Sequence, residues 1–158
     1  MRIGIGWDRH KLIAGRPCIL GGVLFEDCPV GPEGHSDGDA VIHSIVDALL
    51  GAAALGDIGK HFPDTSSEYA DSDSRLFLKK THELLINAGY KTNNIDVTVI
   101  TEQPHLSHRT EEMCKLIADI LDVDQGAVSV KGTRGEGLGP EGLGQCVTAM
   151  AVATITEV

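Results

Sequence analysis

Between Asp39 and Leu55 the apolar residues Ile42, Ile45, Val46, Leu49 and Leu50 recur at helical spacing, with Asp47 as the one break in the run around Ile45–Leu55. A helix this apolar needs a covering layer. The rest of the chain offers strands for it: Arg2–Trp7 (RIGIGW) alternates, Ile95–Thr101 (IDVTVIT) alternates, Ala127–Val130 is a short strand, and Gln145–Ile155 is a final strand of small and β-branched residues. Cys18–Phe25 (CILGGVLF) reads as a hairpin about its Gly-Gly turn. Two further amphipathic segments, Ser72–Ala88 (closed by Gly89) and Ser107–Leu121, read as helices. Val30–Gly38, Gly56–Asp64 and Gly132–Gly144 are polar or glycine-rich and read as loops, and Ser36 or Asp37 is placed to cap the Asp39 helix. The pattern predicts an α+β protein. It is a two-layer α/β sandwich: an approximately four-stranded mixed sheet, helices on one face, and a small side hairpin.

No linker or repeat divides the 158 residues, so one domain over residues 1–158 is expected. A formal charge of −10 argues against nucleic acid or an anionic membrane as partner, but leaves room for one small anion in a local cationic pocket. Ile45–Leu55 is too short to span a bilayer. Cys18, Cys28, Cys114 and Cys146 form no C-x-x-C pair, and the opening is strand-like rather than a signal peptide. Reduced thiols and a cytoplasmic, bacterial-type location are therefore expected.

Three segments carry chemistry. Asp8 and His10 stand two apart on a strand, so they share a face. Taken alone, such a pair is more often simply a polar strand end. Asp39, His43 and Asp47 recur at i, i+4, i+8 on one helix face. Asp8, His10 and His43 together would make the three-ligand, one-open pattern of a catalytic zinc, with Asp47 or Asp39 orienting the His43 ring. His35 and Ser36, just before the helix N-terminus, suggest a phosphate cradle. In Lys131–Gly139 (KGTRGEGLG), Lys131, Thr133 and Arg134 offer donors and Glu136 a hard oxygen suited to Mg2+. The stretch lacks a Walker A ending, and H-E-x-x-H is absent from the chain.

The run HSDGDAVIHSIVDALLGAAALGDIGKHFPDT, His35–Thr65, closely resembles the 2-C-methyl-D-erythritol 2,4-cyclodiphosphate synthase family of the non-mevalonate isoprenoid pathway. RIGIGWDRH, the strand NIDVTVI with the following Pro104, and the Lys131–Gly139 loop extend the resemblance over nearly the whole chain. The resemblance implies a homotrimer whose active sites lie between subunits. Each site would close 4-diphosphocytidyl-2-C-methyl-D-erythritol 2-phosphate to the cyclic diphosphate and release CMP. It implies Zn2+ or another divalent cation on Asp8, His10 and His43, and Mg2+ or Mn2+ on Glu136 arriving with substrate. His35 and Ser36 would contact the substrate phosphate, His35 as a charge stabiliser. Asp57, Ile58 and Gly59, then Phe62, Pro63, Asp64, Thr65 and Ser66, would line the methylerythritol pocket. Thr101, Pro104, His105, Leu106 and Ser107, with Lys131, Gly132, Thr133, Arg134 and Glu136, would face the nucleotide. A zinc-dependent hydrolase or transferase acting on a cytidine diphosphate ester is the alternative.

The chain departs from the family pattern at several positions. Arg134 stands where a threonine is usual: either the loop has drifted and Arg134 points to solvent, or its guanidinium takes that hydroxyl's place on phosphate, in which case it is expected to be ordered only with nucleotide bound. His105 replaces a common lysine. Pro140, Leu143 and Gln145 replace a phenylalanine, an arginine and an acid. A more apolar trimer axis, weaker for isoprenoid diphosphates, is expected from the last two.

Overall fold

The first strand, β1 (Arg2–Ala14), is about twice the length its alternation marks out. A computed structural model describes residues 1–65, 69 and 71–158. β1 pairs antiparallel with β7 (Cys146–Glu157), which pairs antiparallel with β5 (Tyr90–Ile100), and β5 runs parallel to β6 (Val128–Thr133). The fifth strand, β4 (Val30–Pro32), sits at the edge on Leu12–Ala14, giving the order β4-β1-β7-β5-β6. The sheet is therefore mixed, as expected, but has five strands. β4 was hidden in the Val30–Gly38 loop because three residues show no period. The expected side hairpin is β2 (Ile19–Leu20) and β3 (Val23–Leu24), turned through Gly21 and Gly22 at φ of 60° and 75°.

The first helix, α1 (Ala40–Ala53), is almost wholly buried against β1, β7 and β5. Fully burying a side chain such as Ile42, Ile45, Leu49 or Leu50 stabilises by about 1.5–3 kcal/mol. α3 (Ser74–Asn87) and α4 (Thr110–Leu121) cover β5 and β6. The sheet face under α1 is paved with glycine: a Cβ on Gly4 would stand 2.0 Å from the Ala48 carbonyl oxygen, and one on Gly6 1.9 Å from that of Ser44. The alternation of RIGIGW thus has the reverse of the usual polarity. Glycines face the helix, while Ile3, Ile5 and Trp7 point outward at 70%, 67% and 51% exposure. Met150 and Val152, their cross-strand partners opposite Trp7 and Ile5, continue the outward apolar row.

Four local expectations are corrected. The cap of α1 is Asp39, not Ser36 or Asp37; its carboxylate accepts from Val41 and Ile42 N–H at 3.0 and 3.1 Å and from Gly21 and Gly22 at 2.9 and 2.6 Å. Those N–H groups are therefore taken, and the helix end is no phosphate cradle. The Gly56–Asp64 loop contains a single turn, α2 (Ile58–His61), capped by Asp57. The Gly132–Gly144 loop begins within β6 and holds another turn, α5 (Gly139–Gly142). Among the described residues no helix is long and apolar enough to cross a membrane.

Candidate active site

Asp8 and His10 point from β1 toward α1, as their spacing requires, and α1 delivers His43 above them. Asp8 Oδ2 lies 2.8 Å from His10 Nε2 and 3.1 Å from His43 Nδ1, and the two imidazole nitrogens are 3.2 Å apart. The surrounding hydrogen bonds fix the tautomers. His10 Nδ1 is 2.7 Å from the Glu33 carbonyl, which only accepts, so Nδ1 carries the hydrogen and Nε2 a lone pair. The Ser74 hydroxyl donates to Asp37, so it accepts from His43 Nε2 at 2.8 Å, leaving His43 Nδ1 as a lone pair. Ser36 Oγ is a second neighbour of that Nε2, at 3.3 Å. Two imidazole lone pairs and a carboxylate thus converge on one point, where positive charge must sit.

Burial acts to raise the Asp8 carboxyl pKa, but the imidazoles of His10 and His43 outweigh it and hold it well below the usual carboxylate range. Burial also acts to lower the His10 pKa, and the hydrogen bond and charge of Asp8 reverse it, so the ring is raised above its ordinary value. One proton on His10 is one way to satisfy the triangle; a divalent cation is the other. The triangle has nearly the edge of a tetrahedral zinc site, roughly 3.3–3.6 Å for bonds of about 2.0–2.2 Å. The group fits a metal without rearrangement of the chain.

Neither Asp39 nor Asp47 orients His43, contrary to the shared-face expectation. Asp39 is spent on the helix cap, and Asp47 accepts the Ile58 N–H at 2.7 Å, tying α2 to α1. The orienting group is Ser74, which no sequence spacing to His43 would reveal. Beside it Phe77 packs on the His43 ring at 6.0 Å, Phe62 stacks on Phe77 at 4.8 Å, and Tyr69 meets both edge-on at 5.6 Å. This aromatic wall closes one side of a cleft of about 400 Å3. Asp8, His10, His35, Ser36, His43, Ile58, Gly59, Phe62 and Asp64 line it as anticipated, joined by Glu33, Gly34, Tyr69 and Phe77. Asp57, Pro63 and Thr65 do not line it, and Ser66 lies outside the described residues.

The other anticipated residues gather elsewhere. Thr101 is buried, donating its hydroxyl to Gln103 O at 2.5 Å and its N–H to Thr133 O at 3.1 Å, ahead of a cis Gln103–Pro104 bond. Leu106 packs under Gly132, where a Cβ would stand 3.3 Å from it. His105 and Arg134, both departures from the family pattern, touch each other: Arg134 Nη2 lies 3.2 and 3.0 Å from the two ring nitrogens. Lys131 is turned to the open face and held by Asp96 at 2.6 Å. Glu136 is exposed, with φ of 53°. Pro104 and His105 line a separate hollow of about 530 Å3 with Phe25–Pro29 and Arg109. Asp8, Ala149, Val99 and Gly132 form one cross-strand row, so three strand spacings, about 14 Å, part the metal group from the Gly132 loop.

Residues 1–156 match the model of the YgbB family. The chain is similar to the 2-C-methyl-D-erythritol 2,4-cyclodiphosphate synthase of Alkaliphilus oremlandii, at 48% identity over 99% of both chains. Among solved structures it is similar to the bifunctional IspDF of Campylobacter jejuni, with a TM-score of 0.95 at 34% identity; the match covers 99% of this chain and 42% of that longer one. It is also similar to the IspF of Plasmodium falciparum in a CDP complex, with a TM-score of 0.86 at 34% identity, over 99% of this chain and 96% of the other.

Proposed function

The chain belongs to the YgbB family, and from that premise we propose that it converts 4-diphosphocytidyl-2-C-methyl-D-erythritol 2-phosphate to 2-C-methyl-D-erythritol 2,4-cyclodiphosphate with release of CMP. The observation that carries this reading is the triangle of Asp8, His10 and His43, whose lone pairs demand a cation beside a cleft sized for a small phosphorylated polyol. In the reaction an oxygen of the 2-phosphate bonds to the β-phosphorus, and the bond from that phosphorus to CMP breaks. The 2-phosphate is largely dianionic at neutral pH, since its second pKa is about 6. A dedicated general base is not required. What the protein must overcome is repulsion between anions and an improbable ring-closing geometry.

Zn2+ or another divalent cation on Asp8, His10 and His43, and Mg2+ or Mn2+ arriving with substrate at Glu136, would supply Lewis-acid charge to the phosphates. The protein's own residues hold and orient. Ser36 and His35 border the cleft beside the metal group and would contact the phosphate there, His35 stabilising its charge. Ile58, Gly59, Phe62 and Asp64 would confine the methylerythritol chain, with Asp57, Pro63 and Thr65 beside them in the same segment. The aromatic wall would shield the metal side from water once substrate fills the cleft. Thr101, Pro104, His105, Leu106 and Ser107, with Lys131, Gly132, Thr133 and Arg134, would hold the cytidine and its phosphates. Positioning of this kind lowers a barrier by about 7–11 kcal/mol in favourable cases.

One substrate must reach both halves, which lie about 14 Å apart within a chain at ordinary strand spacing. We read the functional unit as a homotrimer of single-domain, cytoplasmic chains in which a neighbour supplies the nucleotide half. The outward row of Ile3, Ile5, Trp7, Met150 and Val152 supports this, because an apolar sheet face of that size is a contact surface. Phosphorus NMR of the product, made in water enriched in oxygen-18, tests the chemistry. Cyclic diphosphate and CMP without heavy oxygen are expected; an open-chain product carrying heavy oxygen would instead favour the hydrolase.

A further inference from the structure

The loop from β6 to β7 is tethered at both ends by carboxylates. At its start the Gly135 N–H donates to Glu102 Oε1 at 3.0 Å. Near its end Glu141 Oε1 accepts from Arg9 Nη2 at 2.5 Å and from the Thr148 hydroxyl at 2.6 Å, while Arg9 Nε donates to Thr148 Oγ1 at 2.9 Å. The three side chains close a ring. Trp7 holds the Arg9 guanidinium from another side, 5.0 Å from its ring centre. Glu141 is buried, an unusual position for a carboxylate on a glycine-rich turn.

Between the tethers the loop is one unit. Leu138 N–H donates to Gly135 O at 2.9 Å, Gly142 N–H to Leu138 O at 3.1 Å, and Gln145 N–H to Pro140 O at 2.9 Å. The neck is pinched so tightly that a Cβ on Gly135 would stand 2.4 Å from Gly142 N. Glu136 rides inside this unit with φ of 53°, a posture that a non-glycine residue keeps only where its surroundings impose it. Arg9 itself lies between Asp8 and His10 in sequence but faces the opposite side of β1. The ring therefore fastens the Glu136 loop to the strand that bears two of the metal ligands, without touching them.

We propose that Arg9 and Glu141 are positioning residues which, with Thr148, pre-set the β6–β7 loop and thereby the cation-binding posture of Glu136. This rests on the reading of Glu136 given under Proposed function. The test is titration of Mn2+ by electron paramagnetic resonance into the zinc-loaded enzyme saturated with CDP. Glu141→Ala and Arg9→Met are compared with Glu136→Gln and with the parent. Losing support behind a metal ligand typically weakens binding about 10–100-fold, and that loss is expected in Glu141→Ala and Arg9→Met, with zinc content unchanged. The apparent KM for Mg2+ should rise in step, with kcat recovering at high Mg2+. Glu141→Gln keeps the shape of the side chain, guards against misfolding, and should show an intermediate loss. Parent-like Mn2+ binding in Glu141→Gln and Arg9→Met, with binding lost in Glu136→Gln, would overturn the proposal. Parent-like binding in Glu136→Gln would instead remove the reading of Glu136 on which it stands.

Discussion

His43 takes its tautomer from Ser74, and Ser74 takes its own orientation from Asp37, whose carboxylate also accepts the Ser74 N–H at 2.9 Å. Removing the hydroxyl in Ser74→Ala leaves Nε2 without this acceptor and frees the ring to present the wrong nitrogen. Zinc affinity, measured by competition with a chelator, should fall about 10–100-fold while the fold persists. The same triangle predicts opposite pH trends with and without metal. The depressed Asp8 pKa contributes stability present above its unfolded value of about 4 and lost as pH falls below it. The raised His10 pKa contributes stability present below its unfolded value of about 6.5 and lost as pH rises through the folded one. Metal-free protein should therefore melt higher at pH 5.5 than at pH 8, where unprotonated acceptors crowd together. Zinc-saturated protein should reverse the order, because protons no longer compete for the imidazoles. Melting curves at the two pH values, with and without zinc, check this.

Gly4 and Gly6 act together as a rail for α1, and the rail determines how low the helix rides on the sheet. In Gly6→Ala the new methyl would meet the Ser44 carbonyl oxygen at 1.9 Å and Ala48 N at 2.8 Å, so the helix must lift. Overpacking of this kind costs about 1–3 kcal/mol. Because His43 sits one residue from Ser44, metal affinity should drop along with the denaturant midpoint. An unchanged zinc constant at reduced stability would show that the helix can tilt without carrying His43. Much of this element was legible in the sequence: the apolar period of α1, the shared face of Asp8 and His10, and the His43 partner all stand as read. What the sequence hid was contact between elements. A helical stripe of Asp39, His43 and Asp47 gives no sign that the acids are spent on Gly21, Gly22 and Ile58. Ser74, from another helix, bears no sequence spacing to the ring it orients. RIGIGW alternates with the same period whichever face is inward, so only the steric demand of α1 reveals that the glycines face in.

At the scale of the whole chain, two surfaces stand open: the outward row of Ile3, Ile5, Trp7, Met150 and Val152, and the metal cleft, which the Gly132 loop does not line. If a neighbour completes both, stability and activity depend together on protein concentration, and the melting temperature should rise on concentrating the sample. The separation of the halves has a genetic reading as well. His43→Ala spoils only the metal half and Glu136→Gln only the nucleotide half, so each variant alone should be inactive. Mixed in equal amounts and reassembled, they form some sites from two undamaged halves, one from each parent. Random assortment around a closed ring makes that about a quarter of all sites. Two inactive alleles in one cell would then restore isoprenoid synthesis between them, whereas a mixture that stays silent would mean that each chain keeps its site to itself.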